Sequence, residues 1–469
     1  MNDQIKGATP LSSVINTVNT IIGSGILVLP YAFRTDSIFL GTLIILFAGL
    51  ANGMGMILQG AASKFLPRGT ATFFTVCRIT YPKLSVLFDF AIFLQCFGVN
   101  ISYLVLTGDL LPLVYTFDGW SAHSMKVFYI AYSTIMIVPL CLMKKIDSLK
   151  YASVVALAAI VYICVLIYGY FIVAICTDYK NIPTEKLGGI SYFKPQGIKP
   201  VFKTLGVIVL AYTCPTQFSI VSELENPTMK RICSITYVSM SITAFIFLSV
   251  SYAGYLTFGN TLAGNILLMY GNNFYTQAGR ALLVLMVILS FPLMFHPARV
   301  SFNNIYHVFS EKLSNKSETA EEEHARIDET SPLFGSHEPD SAFLELSHEL
   351  VTLGHGVDVP MSTQRFYILS AVLLAASYSG ALLLNSFELI LSIVGATGGV
   401  LISFVLPGFY GYKLIASDDV NTKRRLESCS PEEADNGLFT SPLLKKISLF
   451  LIVWGLIVMF ICLYSILFE

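Results

Sequence analysis

The sequence predicts an all-α integral membrane protein whose central helices are broken. Three observations carry that reading. The chain of 469 residues is 54% hydrophobic and 13% charged, whereas a soluble domain carries roughly 25% charged residues. Its apolar residues gather in stretches of the ~20 residues that cross a bilayer as a helix. Two of those stretches are interrupted in their middle, one at Gly23-Ser24-Gly25 and one at Pro215.

Apolar stretches at 10–33, 38–63, 84–113, 124–143, 149–176, 200–225, 231–258, 276–307, 365–385, 387–413 and 445–468 predict eleven crossings. Residues 1–310 hold the first eight helices, with one five-helix half over about 10–176 and a second half starting near 200. Residues 364–413 complete that second half, and 445–469 add the eleventh helix. The polar start MNDQIKGATP is short and is followed by no small-residue cleavage pattern, so the first span is expected to stay in the mature protein.

Charge in the short loops orients the chain. With the N-terminus in the cytosol, the inner loops carry Lys64, Arg68, Arg78 and Lys83, then Lys144, Lys145 and Lys150, then Lys230 and Arg231. The linker at 414–444 and its borders add Lys413, Lys423, Arg424, Arg425, Lys445 and Lys446. The outer side has few apart from Lys180, Lys186, Lys194 and Lys199. An odd number of crossings then places the C-terminus outside or in a lumen.

Residues 311–363, with ETAEEEHARIDETSPLFGSHEPD, are polar and acidic. Such a composition cannot bury a core and reads as a disordered cytosolic loop. Its Glu329-Thr-Ser-Pro-Leu333-Phe334 faintly resembles an acidic dileucine sorting signal, so a sorting or signalling partner is expected there. The sequon at Asn315 falls in this loop and that at Asn100 within a span, so both are expected to go unmodified.

Several classes are disfavoured. A net charge of −1 supplies no basic field for nucleic acid. Nine scattered cysteines without a CxxC read as buried thiols rather than a disulfide framework or zinc site. There is no metal cluster, nucleophile elbow or phosphate loop, so neither enzyme activity nor a bound cofactor is expected.

The breaks carry the functional reading. Unwound backbone at membrane depth persists only where protein or a water-filled cavity satisfies it. A broken helix exposes N–H groups that suit a carboxylate and carbonyls that suit an ammonium or a cation. Gly23 and Gly25 let a ligand approach the backbone, and Ser24 adds a hydroxyl. Small residues also pack membrane helices, so one break alone decides little. The second, in LAYTCPTQFSIVSEL at 210–224, clusters Tyr212, Thr213, Cys214, Thr216 and Gln217 around Pro215. Breaks in the first and sixth helices occupy corresponding positions of two five-helix halves, the pointer to an inverted-repeat transporter.

NTIIGSGILVLPYAF (19–33), LAYTCPTQFSIVSELENPT (210–228) and GATGGVLISFVLPGFY (395–410) resemble the amino acid/auxin permease family. FDFAIFLQCFGVNISYLVLTGDLLP (88–112) and SFPLMFHPAR (290–299) are similar to its fungal vacuolar amino acid exporters, the AVT group. The resemblance implies a LeuT-like 5+5 inverted repeat plus an eleventh transmembrane helix. It also implies amino acid substrates moved by an ion gradient, from vacuole lumen to cytosol with protons.

On this reading the substrate binds the backbone of Ile22, Gly23, Ser24, Gly25 and Ile26 and of Tyr212 to Thr216. Gln95, Asn100, Ser102 and Tyr103 on the third helix line the pathway, or hydrogen-bond between helices. Asn19 matches an asparagine that contributes to a cation site in sodium-coupled members, with Ser290 as its expected partner; it also reads as a brace for the broken helix. His296 is a candidate proton switch, or a neutral histidine satisfied by a carbonyl, with Arg299 opposing its protonation. Asp89, Asp109, Glu225 and Glu388 lie near helix ends and read as anchors. Glu223, pairing with a basic group, is a candidate inner gate beside Arg299. Without a mid-span Arg or Lys to pair with a side-chain carboxylate, neutral substrates are favoured. The glycines at 48–62 read as close packing, and the protein as a monomer in the bilayer. Two other functions remain open: a sodium-coupled plasma-membrane importer, and a sensor signalling through 311–363.

Overall fold

The computed structural model describes residues 7–143, 150–325, 361–384, 386–433 and 436–468. The first crossing is two helices rather than one. Helix α1 (Pro10–Ile22) starts on a Thr9 cap with proline in its first turn, where a missing N–H costs nothing. It stops at Gly23, whose φ of 32° lies in the region that glycine tolerates best. A 3₁₀ turn, Ser24–Leu27, follows. Helix α2 (Leu29–Asp36) then completes the crossing, three residues beyond the apolar stretch that the sequence marks.

Helix α3 (Ile38–Ser63) returns, and short α4 (Phe73–Thr80) leads into the long third crossing, α5 (Ser85–Val114). Helices α6 (Ala122–Cys141) and α7 (Lys150–Cys176) are the fourth and fifth crossings. The sixth crossing is again split, into α8 (Ile198–Tyr212) and α9 (Gln217–Glu223). Pro215 lies in the gap and offers no backbone N–H. Helix α10 (Met229–Phe258) follows, then α11 (Phe274–Ala325), which carries Pro292 and Pro297. The start of the acidic segment expected as a disordered loop therefore continues α11 as helix. Glu329, Leu333 and Phe334 lie outside the described residues.

Helix α12 (Thr363–Leu383) is the ninth crossing. The tenth starts as α13 (Phe387–Val394), widens through π-helical turns at Gly395–Gly399 and Leu401–Val405, and ends as α14 (Leu406–Leu414). Such turns are frequent at functional sites. Helix α15 (Val420–Cys429) belongs to the linker, and α16 (Pro442–Leu467) is the last crossing. Among the described residues, ten helical segments are long and apolar enough to cross a membrane. The first crossing adds to them in two pieces.

The broken elements are central. The turn at 24–27 packs on α8, and α8 also packs on α13 and its π-turn. The glycines of α3 do permit close packing: a Cβ on Gly55 would overlap the Ser403 carbonyl.

Candidate functional site: a cavity between two broken helices

A cavity of about 70 Å³ lies where the breaks meet. Thr20, Ile21, Gly23 and Gly25 line it from the first crossing, and Val207, Leu210, Ala211, Thr213 and Pro215 from the sixth. Gln95, Val99 and Tyr103 close it from α5, Met294 from α11 and Leu391 from α13. One water needs about 10–15 Å³ of such space, so there is room for a few waters or a compact polar group. The lining contains no Lys, Arg, Asp, Glu or His.

The two breaks touch. A Cβ on Gly25 would stand 2.9 Å from the Ala211 Cβ, closer than real side chains approach. Gly25 therefore holds the breaks together, while a Cβ on Gly23 would meet only the Thr20 and Ile21 carbonyls at 3.9 Å, and Gly23 lines the cavity. Thr213 donates to the Val209 carbonyl at 2.9 Å, and its hydroxyl lies 3.0 Å from that of Ser403 in the second π-turn. The Gln95 Oε1 is buried without a hydrogen-bond partner. A buried acceptor left unpaired is costly, and Gln95 is one of the residues that line the cavity.

The remaining sequence candidates separate. Ile22 and Ile26 are buried in the apolar core, so only their backbone belongs to the break. Ser24 contributes its place in the 3₁₀ turn. Tyr212, expected at the substrate, turns away: its ring packs on Phe247 and lies against Gly49 of α3. Cys214 is buried outside the cavity wall and Thr216 is exposed. Asn100 is also no lining residue. With its amide oriented to satisfy both neighbours, it donates to the Phe291 carbonyl (3.1 Å) and accepts from the Phe295 N–H (3.3 Å). Its amide thus inserts at the Phe291–Phe295 step of α11, in the turn that follows Pro292. Tyr103 does line the cavity.

Asn19 is half-buried, one residue before the lining Thr20. Ser290 and His296 are half-buried on α11, on either side of the lining Met294. Arg299 is buried as a brace between helices. It donates to the Cys141 carbonyl (3.1 Å) and the Ser370 hydroxyl (2.9 Å), and its guanidinium lies 3.9 Å from the Phe366 ring centroid. Asp109 pairs with Lys126 at 2.8 Å.

Both faces are covered. On the face of the N-terminus, Ala8 bridges to Leu224, its N–H donating to the Glu223 carbonyl (2.7 Å) and its carbonyl accepting from the Glu225 N–H (3.0 Å). Arg68 donates to the Leu224 carbonyl at 2.7 Å and Arg231 to that of Glu225 at 2.8 Å. Glu223 thus serves this closure through its backbone, with its side chain exposed, rather than through the expected ion pair. On the far face, the 188–197 segment covers α2: Gln196 donates to the Thr35 carbonyl and Ile38 to that of Ser191. Arg34 donates to the Leu262 carbonyl at 2.6 Å.

A multi-pass helical membrane protein with an occluded cavity between two interrupted crossings is built as a carrier of small solutes. The chain belongs to the transmembrane amino acid transporter protein family, whose model matches residues 6–461. It is a family of transporters, not enzymes. The chain is 33% identical to vacuolar amino acid transporter 6 of Saccharomyces cerevisiae, over 96% of its own length and 97% of that protein. It is 34% identical to vacuolar amino acid transporter 7 of the same yeast, with 98% of each chain covered. Vacuolar amino acid transporter 5 of Schizosaccharomyces pombe is 32% identical over 86% of this chain and 85% of that one.

Proposed function

We propose that the protein is a secondary active transporter that carries small neutral amino acids from a vacuole lumen to the cytosol, coupled to protons. The observation that carries this reading is the cavity shared by the two breaks. Backbone N–H groups of the 24–27 turn would receive the α-carboxylate. Carbonyls at the end of α1, together with the Gln95 Oε1, would receive the α-ammonium. The uncharged lining favours neutral side chains and the small volume favours short ones. The relatives named for vacuolar amino acid transport support the compartment, and Lys and Arg in the short loops support a cytosolic N-terminus.

Transport would follow from rocking two five-helix halves of a LeuT-like fold about the cavity. The Ala8–Leu224 bridge and the 188–197 cover would open in turn. Purified protein in acidic-interior vesicles, loaded with a mixture of amino acids, tests this directly. Efflux that collapses with a protonophore and ignores sodium is the expected result, and the released species name the substrate. Efflux that needs sodium instead would make the protein a sodium-coupled importer and Asn19 its central residue. No flux from folded protein would favour the sensor reading and the 311–363 segment.

A further inference from the structure

We propose that Asp36 is the group that carries the coupling proton, taken up from the far, lumenal face. This rests on the proton-coupled reading above. Asp36 ends α2, the half-helix that emerges from the first break, and its side chain is fully buried. Its Oδ1 accepts from the Thr204 hydroxyl at 2.7 Å and the Thr35 hydroxyl at 2.9 Å. Its Oδ2 is buried without a hydrogen-bond partner, and so is the hydroxyl of the next residue, Ser37. Ser37 turns the corner into α3 with φ of 70°, a conformation a non-glycine residue holds only under constraint.

The charged and titratable neighbours are all engaged elsewhere or set apart. On α2, Arg34 reaches the Leu262 carbonyl and lies over the Tyr31 ring. On α10, the Tyr252 hydroxyl meets Thr42, and the Tyr255 hydroxyl meets Asn260 and the Ser191 N–H. On α8, Lys199 donates to the Phe468 carbonyl and Lys203 is half-buried. In the covering segment, Tyr192 and Lys194 are exposed, and the first turns of α3 carry no titratable group. Among the described residues no Lys or Arg forms an ion pair with Asp36. A carboxylate buried without a counter-charge is unfavourable, so the closed cover fits the neutral acid and opposes the anion.

Coupling follows from that preference. With the far face open, water reaches Asp36 and a proton adds to Oδ2, turning carboxylate into carboxylic acid. Only then can the 188–197 segment close without burying a charge. Thr204 stands one helical turn before Val207 and lies on the stripe that continues through Ala211, so the acid is linked to the cavity wall along one face of α8. When the N-terminal face opens, water admitted along that face of α8 reaches and hydrates the carboxylate, so the proton leaves to that side and Asp36 is again an anion without being buried dry.

The test compares wild type, Asp36→Asn and Thr204→Val as full-length protein in acidic-interior vesicles loaded with a mixture of neutral amino acids. Two readouts are taken: efflux driven by the proton gradient, and amino acid exchange at equal pH. Asp36→Asn is expected to lose at least about tenfold of the gradient-driven acceleration and to keep exchange within about threefold of wild type. Thr204→Val removes a donor to the charged form, so its pH of half-maximal efflux is expected to rise by about half to one unit. Wild-type acceleration in folded Asp36→Asn would overturn the assignment, as would an unmoved pH profile in Thr204→Val. The second variant decides the matter if the first fails to fold. Wild-type efflux that ignores the gradient would overturn proton coupling itself and the assignment with it, a result visible without either variant.

Discussion

At the scale of the residue, the two glycines of the first break do different work. Gly23 has a φ that a side chain resists and lines the cavity. Gly25 is pressed on Ala211. Gly23→Ala, strained by about 1–3 kcal/mol, is therefore expected to reduce transport with a modest loss of folded protein. Gly25→Val should lower both, because its side chain would part the two broken helices. Flux and monodisperse yield, measured for both variants, separate these outcomes. Gln95→Leu removes the unpaired acceptor beside the cavity; a loss of about 1–3 kcal/mol in substrate binding would raise the KM by roughly five- to 150-fold, read in the same flux assay. Gly23, Thr213 and Tyr103 were legible in the sequence because polar or glycine residues stand out in an apolar helix. Val99, Val207, Met294 and Leu391 were not, because an apolar residue in an apolar span carries no mark of the side it faces. Spacing held one unused clue. Gln95, Val99 and Tyr103 recur every fourth residue and share a face, whereas Asn100 is one residue off that stripe and points to α11 instead.

At the scale of the element, each crossing that breaks does so for a local reason, and the closures sit at the ends of those same crossings. On the N-terminal face the end of α9 is held by backbone bonds to Ala8 and by Arg68. A hydrogen bond from a charged donor contributes about 1.5–3 kcal/mol. Arg68→Ala should therefore shift the population toward a state open on this face. In a background without the native cysteines, Thr213→Cys reports the change: its labelling by a hydrophilic maleimide is expected to rise about tenfold when Arg68 is replaced. Unchanged labelling would mean that the bridge alone sets the closure. The sequence pointed to this face through Glu223 but expected a charge pair. Main-chain pairing is invisible there, since any residue supplies a carbonyl and most supply an N–H.

At the scale of the whole molecule, the number of crossings and the two interruptions could be read from apolar length and helix-breaking residues. The pairing of the interruptions could not be read from either stretch alone, because it depends on how helices pack. The linker shows the same limit. Composition marks 414–444 as polar, yet Glu433 is buried and accepts from the Met229 N–H at 2.7 Å, tying the linker to the start of α10. Glu433→Ala leaves that N–H unpaired, which costs about 1–3 kcal/mol and should lower the Tm by a few degrees. Lys64 gives the effect a pH signature. Burial pushes its ammonium below the usual lysine range, and the charges of Glu433 and Glu432 pull it back. Without Glu433 the folded state resists the charged lysine more strongly, while the unfolded chain does not. The variant's deficit is then full at neutral pH and shrinks as pH rises through the folded-state pKa of Lys64. Thermal melts at two pH values check both the size and the sign.

The bridge between Ala8 and Leu224 also constrains how the chain is born. Its two partners are separated by more than two hundred residues, which a ribosome adds at about 5–20 residues per second, so roughly ten to forty seconds pass between them. Through that interval the nascent first helix, split at Gly23, waits in the insertion machinery without the sixth helix that packs on it. A stall or slow stretch of translation before residue 224 lengthens that exposure. The protein's yield is thus expected to depend on chaperoning of a half-made bundle more than on the stability of the finished one.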